Sequence, residues 1–257
     1  MTEIEAFVAL VQRPSVPLDE ATAMIANVVR PPADISAVLQ ELDRLAAACE
    51  AATLAGVRDL LFEREEFCGN DIHYADPENS MIDAVLQRKV GIPITLSIVM
   101  IEVGRRLGVE LLPVSMPGHF LVLDSVSGAY CDPFARGASL DAEGCKALHD
   151  QVFLGRRALQ LSELVPVGVP VVLARVLNNL EQSSCAKRPG MMDRLLQLHC
   201  ALPGLPPGEH MALASRFAAI GQFGRAAKSA ERCVGLLDGA DRLVAQRTAA
   251  QYWARTN

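Results

Sequence analysis

The chain has 257 residues, enough for one large domain or two smaller ones with a substantial core, and 51% of them are hydrophobic. With 24 Lys and Arg against 30 Asp and Glu the formal net charge is -6, and no basic run or basic-aromatic stripe offsets it, which argues against a nucleic-acid partner. Seven cysteines stand singly, with no C-x-x-C spacing, and suggest neither a disulfide framework nor a zinc site, so no metal and no cofactor is expected.

In chain order, the first residues, "MTEIEAFVALVQRPS", carry glutamates where a secretory signal would carry lysine or arginine. Apolar stretches elsewhere are broken by proline, glycine or charge before they reach membrane-spanning length. The chain therefore reads as cytoplasmic, with no membrane partner. From Leu18 to about Glu63 the apolar spacing is helical, Asp34 stands at an N-cap position, and Pro31-Pro32 separates two helices. The stretch "FCGNDIHYADPENS" reads as an irregular loop, with Ser80 the expected N-cap of a short helix "MIDAVLQRKV". "GIPITLSIVMIEVGRRLG" is a long apolar helix closed by Arg105, Arg106 and Gly108.

Strands follow in "VELLPVSM", "HFLVLD" and "AYCDPF", and "ARGASLDAEGCKALHDQVF" reads as helix again. From about Val165 onward the pattern is helical throughout, and its last two segments look like a helical hairpin rich in small residues. This order predicts an α+β fold with a helical appendage.

Chemistry concentrates in "MPGHFLVLDSVSGAYCDPFARG". A hairpin pairing His119 with Asp132 and Leu121 with Tyr130 would project histidine and aspartate together, as in the orienting half of a nucleophilic triad. Strand alternation turns Cys131 to the opposite face, as a core thiol. The plainer reading of the pair is a structural hydrogen bond pinning a hairpin. Cys145 and His149, one helical turn apart, offer a metal pair or a dyad but lack further ligands.

The run from Phe67 to Gly108, followed by "MPGHFLVLD" and "CDPFARG", resembles the Sir-B type bacterial proteins, which have a transglutaminase-like core and a tetratricopeptide-like helical tail. That resemblance implies a papain-like core, a helix packed on a small antiparallel sheet, flanked by N-terminal helices and a C-terminal helical-hairpin tail. It divides the chain into 1–61, 62–164 and 165–257. Active transglutaminase relatives carry cysteine at the core helix's N-terminus, where the dipole favours a thiolate. The matching position here falls near Pro93 or Ile94, and no cysteine lies between Cys68 and Cys131. The resemblance assigns His119 and Asp132 to the family's histidine and aspartate and leaves the pair without its sulfur.

Three substitute nucleophiles remain open: Thr95 and Ser97 in the first turns of that helix, and Cys68 in the preceding loop. Asn79, Ser80, His73, Tyr74 and Pro93 would border the cleft. Two functions follow. One is a non-catalytic module that binds a protein or peptide through the helical tail or the cleft; the other is an acyl-transfer or hydrolytic enzyme with an unusual nucleophile.

Overall fold

The computed structural model describes residues 2–256. Four helices lead in: α1 (Glu3–Val11), α2 (Leu18–Val29), α3 (Ile35–Ala47) and α4 (Leu54–Arg58), the last running into a π-helical turn at Asp59–Arg64. Asp34 caps α3 as expected, its Oδ1 accepting from the Ala37 N–H at 3.1 Å. The sequence reading began its helices at Leu18. Helix α1 precedes them, closed at its start by a reciprocal pair in which Thr2 Oγ1 accepts from Glu5 N–H and Glu5 Oε2 accepts from Thr2 N–H.

The stretch read as one irregular loop is partly ordered. It contains β1 (Cys68–Gly69), paired in parallel with β2 (Val90–Gly91), and a 3₁₀ turn at Pro77–Ser80. Between them lies α5 (Ile82–Arg88), whose N-cap is Met81; Ser80 does not cap it. The side-chain cap in this region is Asp76, which accepts from the Glu78 N–H at 3.0 Å and opens the 3₁₀ turn. Proline at the turn's first position and the local reach of an Asp side chain displace the cap four residues upstream.

Helix α6 (Pro93–Leu107) is the centre of the fold: every residue from Pro93 to Gly104 is buried. A helix apolar on all sides must be covered on all sides. Here α2, α3, α5 and α8 (Val169–Gln182) pack around it, while β3 (Leu111–Val114) and β4 (Leu121–Asp124) close the remaining face. Gly104 admits the first strand, since a Cβ there would lie 2.7 Å from Leu111 Cδ1. Gly108 ends the helix in the left-handed region at φ +74°.

The sheet is an antiparallel meander in the order β3-β4-β5-β6, with β5 at Tyr130–Asp132 and β6 at Ala138–Leu140. Strand β6 replaces the start of what the sequence pattern gave as helix; α7 (Ala142–Phe153) begins only after Asp141, which caps it through the Gly144 N–H at 2.8 Å. The hairpin register also differs from expectation by two residues. Val122 pairs with Cys131 and Leu123 with Tyr130, which sets Leu121, not His119, opposite Asp132. The cause is the turn: Asp124 gathers the N–H groups of Val126 and Ser127 and the Ser127 hydroxyl, fixing a four-residue loop closed by Asp124 N–H on Ala129 O at 3.0 Å.

After a 3₁₀ turn at Leu161–Leu164 and α8 come a second 3₁₀ turn (Ser184–Lys187), α9 (Met191–Ala201), α10 (Pro207–Ala219), α11 (Phe223–Val234) and α12 (Gly239–Trp253). One apolar cluster runs without a break from Phe7 through the α6 core to Leu213, Phe217 and Ala226. A smaller one on the far side of the sheet joins Val114, Met116, Leu121, Cys145 and Leu164. The last three helices meet through Ala214, Ala230 and Ala249. The architecture is α+β, and no described helix is long and apolar enough to cross a membrane.

Candidate functional site

His119 lies just before β4, after a tight turn in which Gly118 holds φ +73° and the His119 N–H donates to Met116 O at 3.1 Å. The imidazole reaches back across the hairpin, and its Nε2 meets Asp132 Oδ1 at 2.9 Å, with both residues buried (8% and 3% exposed). The side chains therefore meet although their backbones are not partners in the ladder. The same Oδ1 accepts the Phe134 N–H at 3.0 Å, and Asp132 O accepts the Gly137 N–H at 2.8 Å. The "DPF" segment is thus a turn folded around one carboxylate, which is held rigidly toward the imidazole.

An aromatic wall stands beside the pair. The Phe134 ring lies edge-on to His119 at 6.1 Å and to Tyr74 at 6.0 Å, centroid to centroid. Gly69 makes room for it, because a Cβ there would come within 2.6 Å of the Phe134 ring. Strand β1 thereby links the wall to β2 and so to the start of α6. Tyr74 sits on a loop pinned from within by the fully buried Asn79, whose Nδ2 donates to His73 O at 2.8 Å and whose Oδ1 accepts from Asn70 at 3.0 Å. His73 itself is exposed on this loop.

Arg175 of α8 is a further component, and its place was not evident in the sequence. Its guanidinium donates to His119 O and Ser115 Oγ, each at 3.3 Å, and lies over the Phe120 ring at 6.0 Å. Burial pulls its pKa below the usual arginine value, with Tyr74 opposing that pull. Fifty-six residues separate it from His119, so no local spacing could have pointed to it.

The residues considered as nucleophiles are otherwise engaged. At the N-terminus of α6, Pro93 and Ile94 occupy the first turn and both are buried. Thr95 Oγ1 donates to Asn79 O at 2.6 Å and accepts from the Ile92 N–H at 3.2 Å, joining the helix start to the pinned loop. Ser97 is fully buried and donates to Pro93 O at 2.8 Å, the usual back-bond within a helix. Cys68 is half-buried on β1; since the Cβ position of its neighbour Gly69 faces Phe134, strand alternation directs the Cys68 side chain to the other face. Ser80 is buried at the end of the 3₁₀ turn. Among the described residues the imidazole's hydrogen bond to Asp132 has no counterpart to any hydroxyl or thiol.

The other thiols near the sheet are core groups. Cys131 is fully buried with its Sγ 3.8 Å from Met100 Sδ on α6, and burial pushes its pKa up to about 12. Burial likewise pushes Cys145 up to about 11. His149 stacks on Phe153 at 4.5 Å between ring centroids, and no described group of three His, Cys, Asp or Glu side chains has the arrangement of a metal site.

Comparison with known proteins places the chain in a family. The family model described as "Transglutaminase-like superfamily" matches residues 32–178, more than half of the chain. A "UPF0162 protein" of Xylella fastidiosa (strain 9a5c) is 36% identical over 178 residues, covering 66% of this chain and 62% of that protein. "F-box only protein 21" of Mus musculus is 33% identical over 159 residues, 58% of this chain and 24% of that protein. A "UPF0162 protein" of Pseudomonas aeruginosa is 32% identical over 116 residues, 45% of this chain and 43% of its own length. The chain thus spans 62% of the length of the Xylella relative it matches.

Proposed function

The chain belongs to the transglutaminase-like superfamily, and from that premise we propose that it is a non-catalytic member which binds a protein or peptide partner. The observation that carries this reading is that, among the described residues, no candidate nucleophile is hydrogen-bonded to the His119 ring. Thr95 and Ser97 donate their hydroxyl protons to carbonyls of Asn79 and Pro93, strand alternation points Cys68 away from Phe134, and Pro93 and Ile94 fill the buried first turn of α6. A histidine raised toward a thiol or hydroxyl by an aspartate does acyl transfer only when that group is within hydrogen-bond reach. Here the imidazole, the Asp132 carboxylate and the Phe134 N–H form a structural unit instead.

In this reading the three segments 1–61, 62–164 and 165–257 supply a helical lead-in, a transglutaminase-like scaffold and a tetratricopeptide-like tail of the Sir-B type. The face that carries the His73–Tyr74 loop beside Phe134, or the helical tail, receives the partner. Packed helix pairs commonly present such surfaces. Cytoplasmic location remains part of the same proposal.

The test is labelling of the full chain with a fluorophosphonate and with iodoacetamide between pH 6 and 9, followed by peptide mapping. We expect no modification whose rate depends on His119. Modification of Ser97, Thr95 or Cys68 that falls at least tenfold in His119→Ala would overturn the reading and establish a covalent enzyme.

A further inference from the structure

A second candidate site lies away from the His119–Asp132 pair, where α1 meets the tail helices. Between α1, α9, α10 and α11 is a cavity of about 500 Å³, inside the roughly 300–1,000 Å³ range of small-molecule sites. Ile4, Val8, Leu202 and Phe217 give it an apolar floor. Its rim is of one sign. Arg225, Lys228 and Arg232 follow one another along α11 at spacings of three and four residues, so that all three project from one helix face into the cavity lining.

Among the described residues no aspartate or glutamate lines this cavity, although the chain as a whole carries a net charge of -6. Arg225 is held by Asp193 at 3.0 Å. Arg232 donates to the Cys200 carbonyl and to Cys200 Sγ, which fixes its guanidinium at the rim without neutralising it. Among the described residues neither Lys228 nor Arg232 has a carboxylate within ion-pair distance. His210 also lines the cavity and is 7% exposed; its Nδ1 is sealed from solvent, so a ligand in the cavity would meet the other ring nitrogen. Burial and the neighbouring Arg232 hold the imidazole below its ordinary pKa, against the pull of Glu209, so the ring offers a neutral donor and acceptor.

We propose that this cavity binds a small amphiphilic oxyanion, a carboxylate or phosphate monoester on an apolar body, with the headgroup at Lys228 and Arg232, the body on the Ile4–Val8–Phe217 floor, and His210 hydrogen-bonded to the ligand. The site is independent of the protein-binding reading above, and its failure would leave that reading untouched.

Isothermal titration of the full chain at 150 mM salt tests it with decanoate and monodecyl phosphate as probes, decanol and inorganic phosphate as controls. Saturable one-to-one binding of either anion, at least tenfold tighter than decanol and than inorganic phosphate, is expected, and the preferred probe distinguishes carboxylate from phosphate. The double substitution Lys228→Glu with Arg232→Glu, both at exposed positions, should weaken that binding at least tenfold in a chain that keeps its native near-UV circular dichroism. His210→Phe should weaken it too, whereas Lys146→Glu on α7 should not. Equal affinity for decanol, indifference to the double substitution, or capture of an acidic peptide such as acetyl-hexaglutamate in preference to both amphiphiles would overturn the proposal.

Discussion

Asp132 Oδ1 accepts from two donors at once, His119 Nε2 and the Phe134 N–H, in a setting that leaves 3% of the residue exposed. Its chief work is therefore to close the "DPF" turn. Asparagine retains a carbonyl oxygen in that position and leucine does not. Asp132→Leu should cost about 2–6 kcal/mol, two buried donors losing their acceptor at roughly 1–3 kcal/mol each, while Asp132→Asn should cost under about 1.5 kcal/mol; urea denaturation with unchanged slope checks both. Gly69→Ala is a second test at this scale. Its Cβ would press within 2.6 Å of the Phe134 ring, an overpacking expected to cost about 1–3 kcal/mol. The His119–Asp132 contact was legible in the sequence because it depends on two short motifs and one hairpin. Arg175 was not, because nothing in the local pattern of α8 says which carbonyls its guanidinium will meet.

At the scale of elements, α6 was readable from end to end: proline at its first position, an unbroken apolar run, a glycine at its close. What the pattern could not convey was Glu102, 2% exposed inside that run, and its bonds to Arg105 and Arg106, which also reach Asp19 on α2. Arg106 further holds Asp43 on α3 at 2.6 Å, so one guanidinium ties three helices. Arg106→Leu should cost about 3 kcal/mol, the low end for breaking a buried pair, because Arg105 keeps a contact with both buried acids, Asp19 and Glu102. The two acids respond oppositely to pH. Burial would raise Asp19, but Arg106, the Glu20 N–H and Arg105 together outweigh it and hold its carboxyl below the usual range. Asp19 therefore contributes stability that is present above about pH 4 and lost as pH falls through its lowered pKa. Glu102 is raised, first by burial and then by the charge of Asp19. The folded chain thus binds its proton more readily than the unfolded chain, and stability falls as pH rises through that raised value. In Glu102→Gln the gain in stability on acidifying from neutral pH toward the ordinary glutamate pKa of about 4.3 should shrink, and the loss below pH 4 should persist; urea midpoints across that range measure both. The strand register was unreadable for a related reason. It was fixed by where the Asp124 side chain closes the turn, and alternation of apolar residues tolerates any shift of two.

For the whole molecule, the change from mixed to helical pattern near Val165 marks a change of element type, not a gap in packing. Val172, Leu173, Val176, Leu177 and Leu180 on α8 are all buried and belong to the same cluster as α6. Hydrogen bonds cross the same line: Val167 N–H donates to Pro113 O at 2.9 Å, and the Arg188 side chain donates from Nη2 to Val29 O at 2.8 Å. Cutting after Leu164 would expose the partners of five large side chains, each worth roughly 1.5–3 kcal/mol, against a total stability of about 5–15 kcal/mol for a domain. A 1–164 fragment is therefore expected not to fold, with a near-UV circular dichroism spectrum lacking native bands. The far end behaves differently. Helix α12 buries only Ala245 and Ala249, and meets α10 and α11 through alanines. A 1–238 chain should keep the native near-UV bands of the remaining aromatics and melt only a few degrees lower. The single tryptophan provides the matching observation in the intact chain. Trp253 Nε1 donates to Glu231 on α11 at 2.7 Å, so its emission reports the docking of α12. Small-residue contacts bury little apolar area, and local opening follows the weakest-packed unit. The emission change should therefore begin at lower urea than the loss of far-UV ellipticity, whereas coincident transitions would mean that the terminal helix is as firmly held as the α6 core.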